Sequence, residues 1–237
     1  MTAVTPDLRP PSVHRVPRAR VVDRLTALRA IVRGRRVVDL GFVDEGQMGA
    51  KRGRGTWLHE AVAREAKEAV GIDADESGVR RAVELGFTAH HADVEDEESL
   101  RALGLEPADV VVAGELIEHL DRPGAFLDAV HVLLRADGDL VITTPNAHAL
   151  TNLLGALAGR ELVNPDHVSW FSWRTLETLL SRHRWRIESL MYYRFPHVES
   201  GAPAARAAFN GYQAIARPLF ALRPSLADGI LVVARRA

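Results

Sequence analysis

The apolar positions of this chain change period as it proceeds. "RVVDLG" (36–41), "AVGID" (69–73), "FTAHHAD" (87–93), "ADVVVAGE" (108–115) and "DLVITTPN" (139–146) are short runs, mostly continuous in apolar character and halted by Gly, Asp or Pro. Strands buried on both faces read this way. Between them the spacing turns helical. "TWLHEAVAREAKEA" (56–69) sets Leu58, Ala61, Val62, Ala66 and Ala69 on one side, and "ESGVRRAVELG" (76–86) closes on a glycine cap. An acidic helix lies around 95–103, and "PGAFLDAVHVLLRADG" (123–138) opens on proline and stops at Asp137-Gly138. Five alternations predict a parallel sheet covered by helices on both faces.

Beyond residue 146 the rhythm breaks. "HALTNLLGALAG" reads as a helix, "RELVNPDHVSWFS" as irregular chain, and "WRTLETLLSRH" (173–183) as an amphipathic helix with Leu176, Leu179 and Leu180 on one face. Two strands close the chain, "WRIESLMYYRF" (185–195) and "GILVVARR" (229–236). No clear crossover helix separates them, which predicts that the last one enters antiparallel.

Composition narrows the functional classes. The chain has 237 residues, no cysteine and a net charge of −1, which excludes disulfides, thiolate metal sites and a cysteine nucleophile and argues against a dedicated nucleic-acid binder. A basic excess is local: residues 1–36 carry nine arginines against Asp7 and Asp23, as a solvated arm and helix or as a surface for an anionic partner. No apolar run is long enough for a membrane span, and the start lacks the apolar core of a signal peptide, so a cytoplasmic protein is expected. The domain expectation is a basic arm and helix over 1–35 and one α/β domain over 36–237, with substrate-side segments at 147–172 and 196–228.

In an open parallel sheet, ligands bind beyond the carboxyl ends of the strands. The residues there are Asp39-Leu40-Gly41, Asp73, Asp93, Glu115 and Thr144-Pro145-Asn146. Asp73 is placed to accept from ribose hydroxyls and Asp93 from the exocyclic amine of a base, although an Asp after a strand is also a common helix cap.

The succession "VVDLG", "GID", "HAD", "ADVVVAGELIEHL", "GDLVITTPN" resembles the class I S-adenosylmethionine-dependent methyltransferases. The resemblance implies a Rossmann-like, seven-stranded, mostly parallel sheet with an antiparallel last strand. It also implies S-adenosylmethionine as cofactor, with Asp39, Gly41 and Glu115 near it, Asp73 on the ribose and Asp93 beside the adenine. One departure is large. Asp39 and Asp73 are 34 residues apart, and "GFVDEGQMGAKRGRGTWLHE" replaces the family's compact glycine-rich turn. Residues 42–55 are therefore expected as an inserted loop, either a surface excursion or a lid.

"ELIEHL" resembles the Glu-x-x-Glu-His segment of the methyltransferases that act on the terminal ribose 2′-hydroxyl of small RNAs and of the ubiquinone-pathway O-methyltransferases. Glu115, Glu118 and His119 are expected on one side of a single helical turn. By the resemblance they bind a divalent ion, Mg or Mn, with His167 as fourth ligand; Glu118, His119 and His167 are the catalytic candidates. Either histidine can instead act as a general base without metal. The implied reaction is O-methylation of a small molecule or glycan with neighbouring hydroxyls. An RNA 3′ end is the alternative acceptor, and a non-catalytic methyltransferase-like domain is a third reading.

Overall fold

The computed structural model describes residues 12–44, 48–195 and 203–237. Expectations that fall on Arg9, Gly46, His197 and the stretch 196–202 lie outside the described residues.

Eight strands form one sheet: β1 (Arg20–Val22), β2 (Arg36–Leu40), β3 (Glu68–Asp73), β4 (Ala89–His91), β5 (Ala108–Gly114), β6 (Leu134–Pro145), β7 (Trp185–Tyr193) and β8 (Gly229–Arg236). Their order is β1-β7-β8-β6-β5-β2-β3-β4. β8 runs antiparallel to both β6 and β7, and the other pairings are parallel. The seven strands expected from the sequence are all present. The count is corrected to eight because β1, three residues in the basic N-terminal stretch, pairs with the outer edge of β7.

The helices are α1 (Arg24–Val32), α2 (Met48–Gly53), α3 (Leu58–Glu65), α4 (Glu76–Glu84), α5 (Glu97–Ala102), α6 (Pro123–Ala129), α7 (Leu150–Leu157), α8 (Trp173–Arg182) and α9 (Pro203–Leu222). Although β2 and β5 are apolar throughout, their side chains alternate between two cores. Val37, Val110 and Val112 face Leu28 and Val32 of α1 and Leu58 and Val62 of α3. Val38, Leu40, Val111 and Ala113 face Leu100 of α5, Phe126 and Leu127 of α6, and Leu176 and Leu180 of α8. The helix expected behind the basic arm is α1, and it packs on the sheet instead of standing in solvent: Asp23 caps it by accepting from the Thr26 amide at 2.8 Å, and Leu28 and Val32 have no exposed surface.

Three local expectations change. The helix expected over 123–138 ends at Ala129, and β6 already begins at Leu134. A β-carbon at Gly138 would fall 2.7 Å from the Leu134 side chain, a close approach that only glycine allows and that periodicity does not display. The 42–55 insertion contains α2 and buries Phe42, Val43 and Met48 with Trp57 in a third small core. The stretch 203–222, read from sequence only as alanine-rich, is the helix α9.

Candidate active site

The site grows from the carboxyl end of β5. A β-carbon at Gly114 would lie 2.6 Å from Leu58, so glycine there lets α3 close on the strand. Glu115 follows in the left-handed region, φ 57°, and its amide donates to the Thr143 carbonyl at 2.9 Å. This geometry corrects the expected single turn: Glu115 precedes it, and a 3-10 turn covers only Ile117–His119. The Glu115 carboxylate turns instead toward the N-terminal elements. It accepts from the Tyr193 hydroxyl and lies 3.3 Å from the Arg24 guanidinium, which itself sits over the Tyr193 ring at 5.7 Å from the centroid. Burial pulls the Arg24 pKa down, and the charges of Glu115 and Tyr193 more than offset it, so the guanidinium stays protonated.

In the 3-10 turn, Ile117 points into the core and Glu118 is 1% exposed. Among the described residues, neither Glu118 carboxylate oxygen has a hydrogen-bond partner. Burial, then the neighbouring Glu115 charge, push its pKa up to about 8. The Glu118 carbonyl accepts from the Val168 and Ser169 amides at 2.9 and 3.1 Å, docking the segment that carries His167 onto this turn. The His119 and His167 rings meet edge to face, 4.6 Å between centroids. One ligand atom each from Glu118, His119 and His167 lie within 4.8 Å of one another. Glu115 is outside this group of three.

On the cofactor side, Gly41 has φ 68° and its amide donates to the Ile72 carbonyl at 2.9 Å. Asp39 is buried, and its Oδ2 lies 2.9 Å from His59 Nδ1. Burial raises the Asp39 pKa, opposed by the His59 hydrogen bond. His59 packs against Phe42 at 4.6 Å, and the Trp57 indole donates to the Phe42 carbonyl at 2.8 Å. Asp73 accepts from the Val43 and Asp75 amides, both at 2.9 Å; burial raises its pKa and these amides oppose the rise. Asp93 is exposed at the far end and accepts from the Glu95 amide at 2.9 Å.

Two adjoining cavities open beside the histidines. The smaller one, about 400 Å³, is bounded by Glu115, His167, Asn152, Trp170 and Asp228. The second, about 600 Å³ and mostly apolar, shares Asn152, Leu162 and Trp170 with it. Trp170 is thus cavity wall, whereas Trp185 is core, stacked on His131 at 4.2 Å.

A family model for the methyltransferase domain matches residues 18–190. The chain belongs to the methyltransferase domain family. It is 32% identical over 149 residues to a ubiquinone biosynthesis O-methyltransferase of Caulobacter vibrioides, covering 60% of this chain and 52% of the relative. A relative of the same description from Psychrobacter arcticus is 29% identical over 138 residues, 55% of this chain and 48% of its own. The chain thus spans about half the length of the curated relatives it matches. Among solved structures, a SAM-dependent methyltransferase from Archaeoglobus fulgidus superposes with a TM-score of 0.53 at 18% identity, covering 90% of this chain and 92% of that one. Magnesium protoporphyrin IX methyltransferase of Synechocystis PCC 6803, solved with SAH bound, does so with a TM-score of 0.54 at 13% identity, covering 90% and 82%. At these identities the structures speak for the fold.

Sequence patterns missed three residues of the candidate site. Arg24 and Tyr193 sit in elements remote in sequence from Glu115, and β1 is too short to announce that its pairing brings them together. His59 is separated from Asp39 by the atypical loop, so no motif spacing linked the two.

Proposed function

We propose that this methyltransferase moves the methyl group of S-adenosylmethionine onto a hydroxyl oxygen of a small molecule bearing a neighbouring hydroxyl, with Glu118, His119 and His167 holding a divalent ion such as Mg or Mn. The observation that carries the metal reading is the buried Glu118 carboxylate, without a hydrogen-bond partner among the described residues and beside two imidazoles within ligating reach. A buried carboxylate in this state is costly unless a cation or proton joins it. A set of one oxygen and two nitrogen donors suits a first-row divalent metal and tolerates Mg.

Such an ion supplies Lewis-acid acidification of the acceptor hydroxyl and a fixed direction for neighbouring oxygens. The protein supplies the rest. The oxygen–carbon bond forms as the carbon–sulfur bond breaks, leaving S-adenosylhomocysteine and a proton. With both histidines on the ion, that proton passes to solvent; in the metal-free alternative, His119 or His167 takes it as general base. Asp39, Gly41 and Asp73 hold the cofactor at the carboxyl ends of β2 and β3, and Asp93 marks the adenine end. The cavity bounded by His167, Asn152 and Trp170 receives the acceptor.

The relatives' description as ubiquinone biosynthesis O-methyltransferases supports oxygen as the nucleophile and a small acceptor. An RNA 3′ end is less well supported, because several N-terminal arginines are engaged by the protein's own acids. Arg33 pairs with Glu65 at 3.0 Å, Arg35 with Asp139 at 2.7 Å and Arg36 with Glu68 at 2.9 Å. A catechol, a methyl glycoside and a short RNA with a free 3′ diol, offered with S-adenosylmethionine to metal-free protein before and after Mn addition, test the reading. Mn-stimulated methylation of the catechol, lost in His119→Ala, is expected. Full transfer in the presence of a chelator overturns the metal, and transfer to the RNA alone overturns the acceptor.

A further inference from the structure

The antiparallel entry of β8 puts its leading end, not its trailing end, at the site. Gly229, the first residue of β8, pairs with Pro145 at the carboxyl end of β6 and with Tyr193 at the carboxyl end of β7, so Asp228 stands at the same end of the sheet as Glu115. Main chain and side chain are both fixed there. The Asp228 carbonyl accepts from the Asn146 amide at 2.9 Å and its Oδ2 from the Phe195 amide at 3.0 Å, and the residue is 2% exposed. Burial, then the Asp228 charge, push the Tyr212 hydroxyl of α9 up to about 12, so that neighbouring phenol stays neutral at physiological pH.

Asp228 and Glu115 both border the smaller cavity, and among the described residues around that cavity none is lysine or arginine. The Glu115 charge is met from the N-terminal elements, by Arg24 at 3.3 Å and by the Tyr193 hydroxyl. Trp170 and Phe195 add aromatic wall, the Phe195 ring standing edge to face with Tyr193 at 6.0 Å between centroids. Carboxylates and ring faces draw in a cation and repel an anion. Of the three proposed ion ligands only His167 borders this space, so the ion's charge acts on one edge of it. We propose that the acceptor carries an ammonium group besides its neighbouring hydroxyls, and that Asp228 is the counter-ion that selects it. The inference names the acceptor class of the same site and rests on the O-methylation reading above. Asp228 holds the amine while the hydroxyls stay beside the histidines, which keeps the nitrogen away from the sulfonium.

The test compares acceptors that differ only in the charge of one substituent. Transfer from S-adenosylmethionine with Mn present is measured on the full chain and on Asp228→Asn for catechols bearing an aminoethyl, an ethyl or a carboxymethyl group. A charge-assisted contact predicts that kcat/KM for the amine exceeds that for the ethyl compound by about 10- to 100-fold on the full chain, with the carboxylate the poorest. In Asp228→Asn, which keeps an oxygen for the Phe195 amide, the ratio of amine to ethyl compound falls to about threefold or less. Because the readout is a ratio, a general loss of activity in the variant cancels. Equal use of the amine and the ethyl compound by the full chain overturns the proposal, and so does an amine preference that survives in Asp228→Asn. Methyl found on the nitrogen by mass fragmentation overturns it too, since the amine would then sit at the sulfonium. Should Asp228→Asn not fold, the order of the acceptors on the full chain decides the acceptor class. Transfer to none of the catechols overturns the O-methylation reading itself, and this inference with it.

Discussion

Replacing His59 isolates the buried partner of Asp39. Asp39 is 1% exposed and His59 Nδ1 lies 2.9 Å from its carboxylate. In His59→Leu that hydrogen bond is gone, whereas in His59→Asn the amide nitrogen falls near the position of Nδ1 and still donates. The Leu variant leaves Asp39 two options, an unpaired buried charge or a proton. Protonation sets the ceiling: from an ordinary carboxyl pKa of 3.8, holding the acid neutral costs about 4 kcal/mol at pH 7 and about 1.5 kcal/mol at pH 5, at ~1.36 kcal/mol per pH unit. The sign follows from proton uptake. A carboxyl with a raised folded pKa binds more protons folded than unfolded, so its penalty is absent below 3.8 and grows as pH rises toward the folded value. Urea denaturation of the two variants at pH 5 and pH 7 is the assay, and differences at other titrating groups cancel between them. The stability gap in favour of Asn is expected to widen by about 2 to 3 kcal/mol from pH 5 to pH 7. A gap unchanged with pH refutes the claim that residue 59 serves the Asp39 carboxylate.

Other outcomes follow from the same structure. Leu28→Ala, which empties a position with no exposed surface, should lower stability by about 2 to 5 kcal/mol in thermal or urea unfolding; a loss below about 0.5 kcal/mol would return α1 to the status of an appendage. Asp73→Ala is expected to weaken S-adenosylmethionine binding at least about tenfold by calorimetry, since this half-buried carboxylate is the proposed acceptor for the ribose hydroxyls. Glu118→Gln should leave that affinity within about threefold and abolish metal-stimulated transfer; equal damage to cofactor binding in both variants would erase the division of roles. Gly229→Ala places a β-carbon 2.0 Å from the Tyr193 ring, and should cost about 1 to 3 kcal/mol and shift tyrosine fluorescence as the ring leaves Glu115.

Of the five strands between 36 and 146, β2, β3, β5 and β6 were legible because both faces are covered, so their apolar runs need no register to be recognised; β4, at the sheet edge, is only partly buried. β1 was not legible. Three residues, Arg20 to Val22, pair with one neighbour only, and their arginine-rich setting speaks for solvent. The Glu118–His119–His167 grouping was legible as a pattern of residue types. The exclusion of Glu115 was not, because a positive φ at a non-glycine residue leaves no trace in spacing. Phe42 and Val43 illustrate the same limit. They lie in a polar, glycine-containing loop, yet each fills a space opened by a glycine elsewhere: β-carbons at Gly71 and Gly78 would meet them at 2.7 and 2.2 Å.

The Glu118 carbonyl, which receives the Val168 and Ser169 amides, fastens the histidine-bearing segment through main-chain bonds. Any residue except proline at 168 and 169 can make those bonds. The exposed stretch 160–166 ahead of His167 can therefore drift in evolution, reshaping the mouth of both cavities, while the imidazole keeps its address. Descendants of one such scaffold can exchange acceptors without rebuilding the chemistry that modifies them.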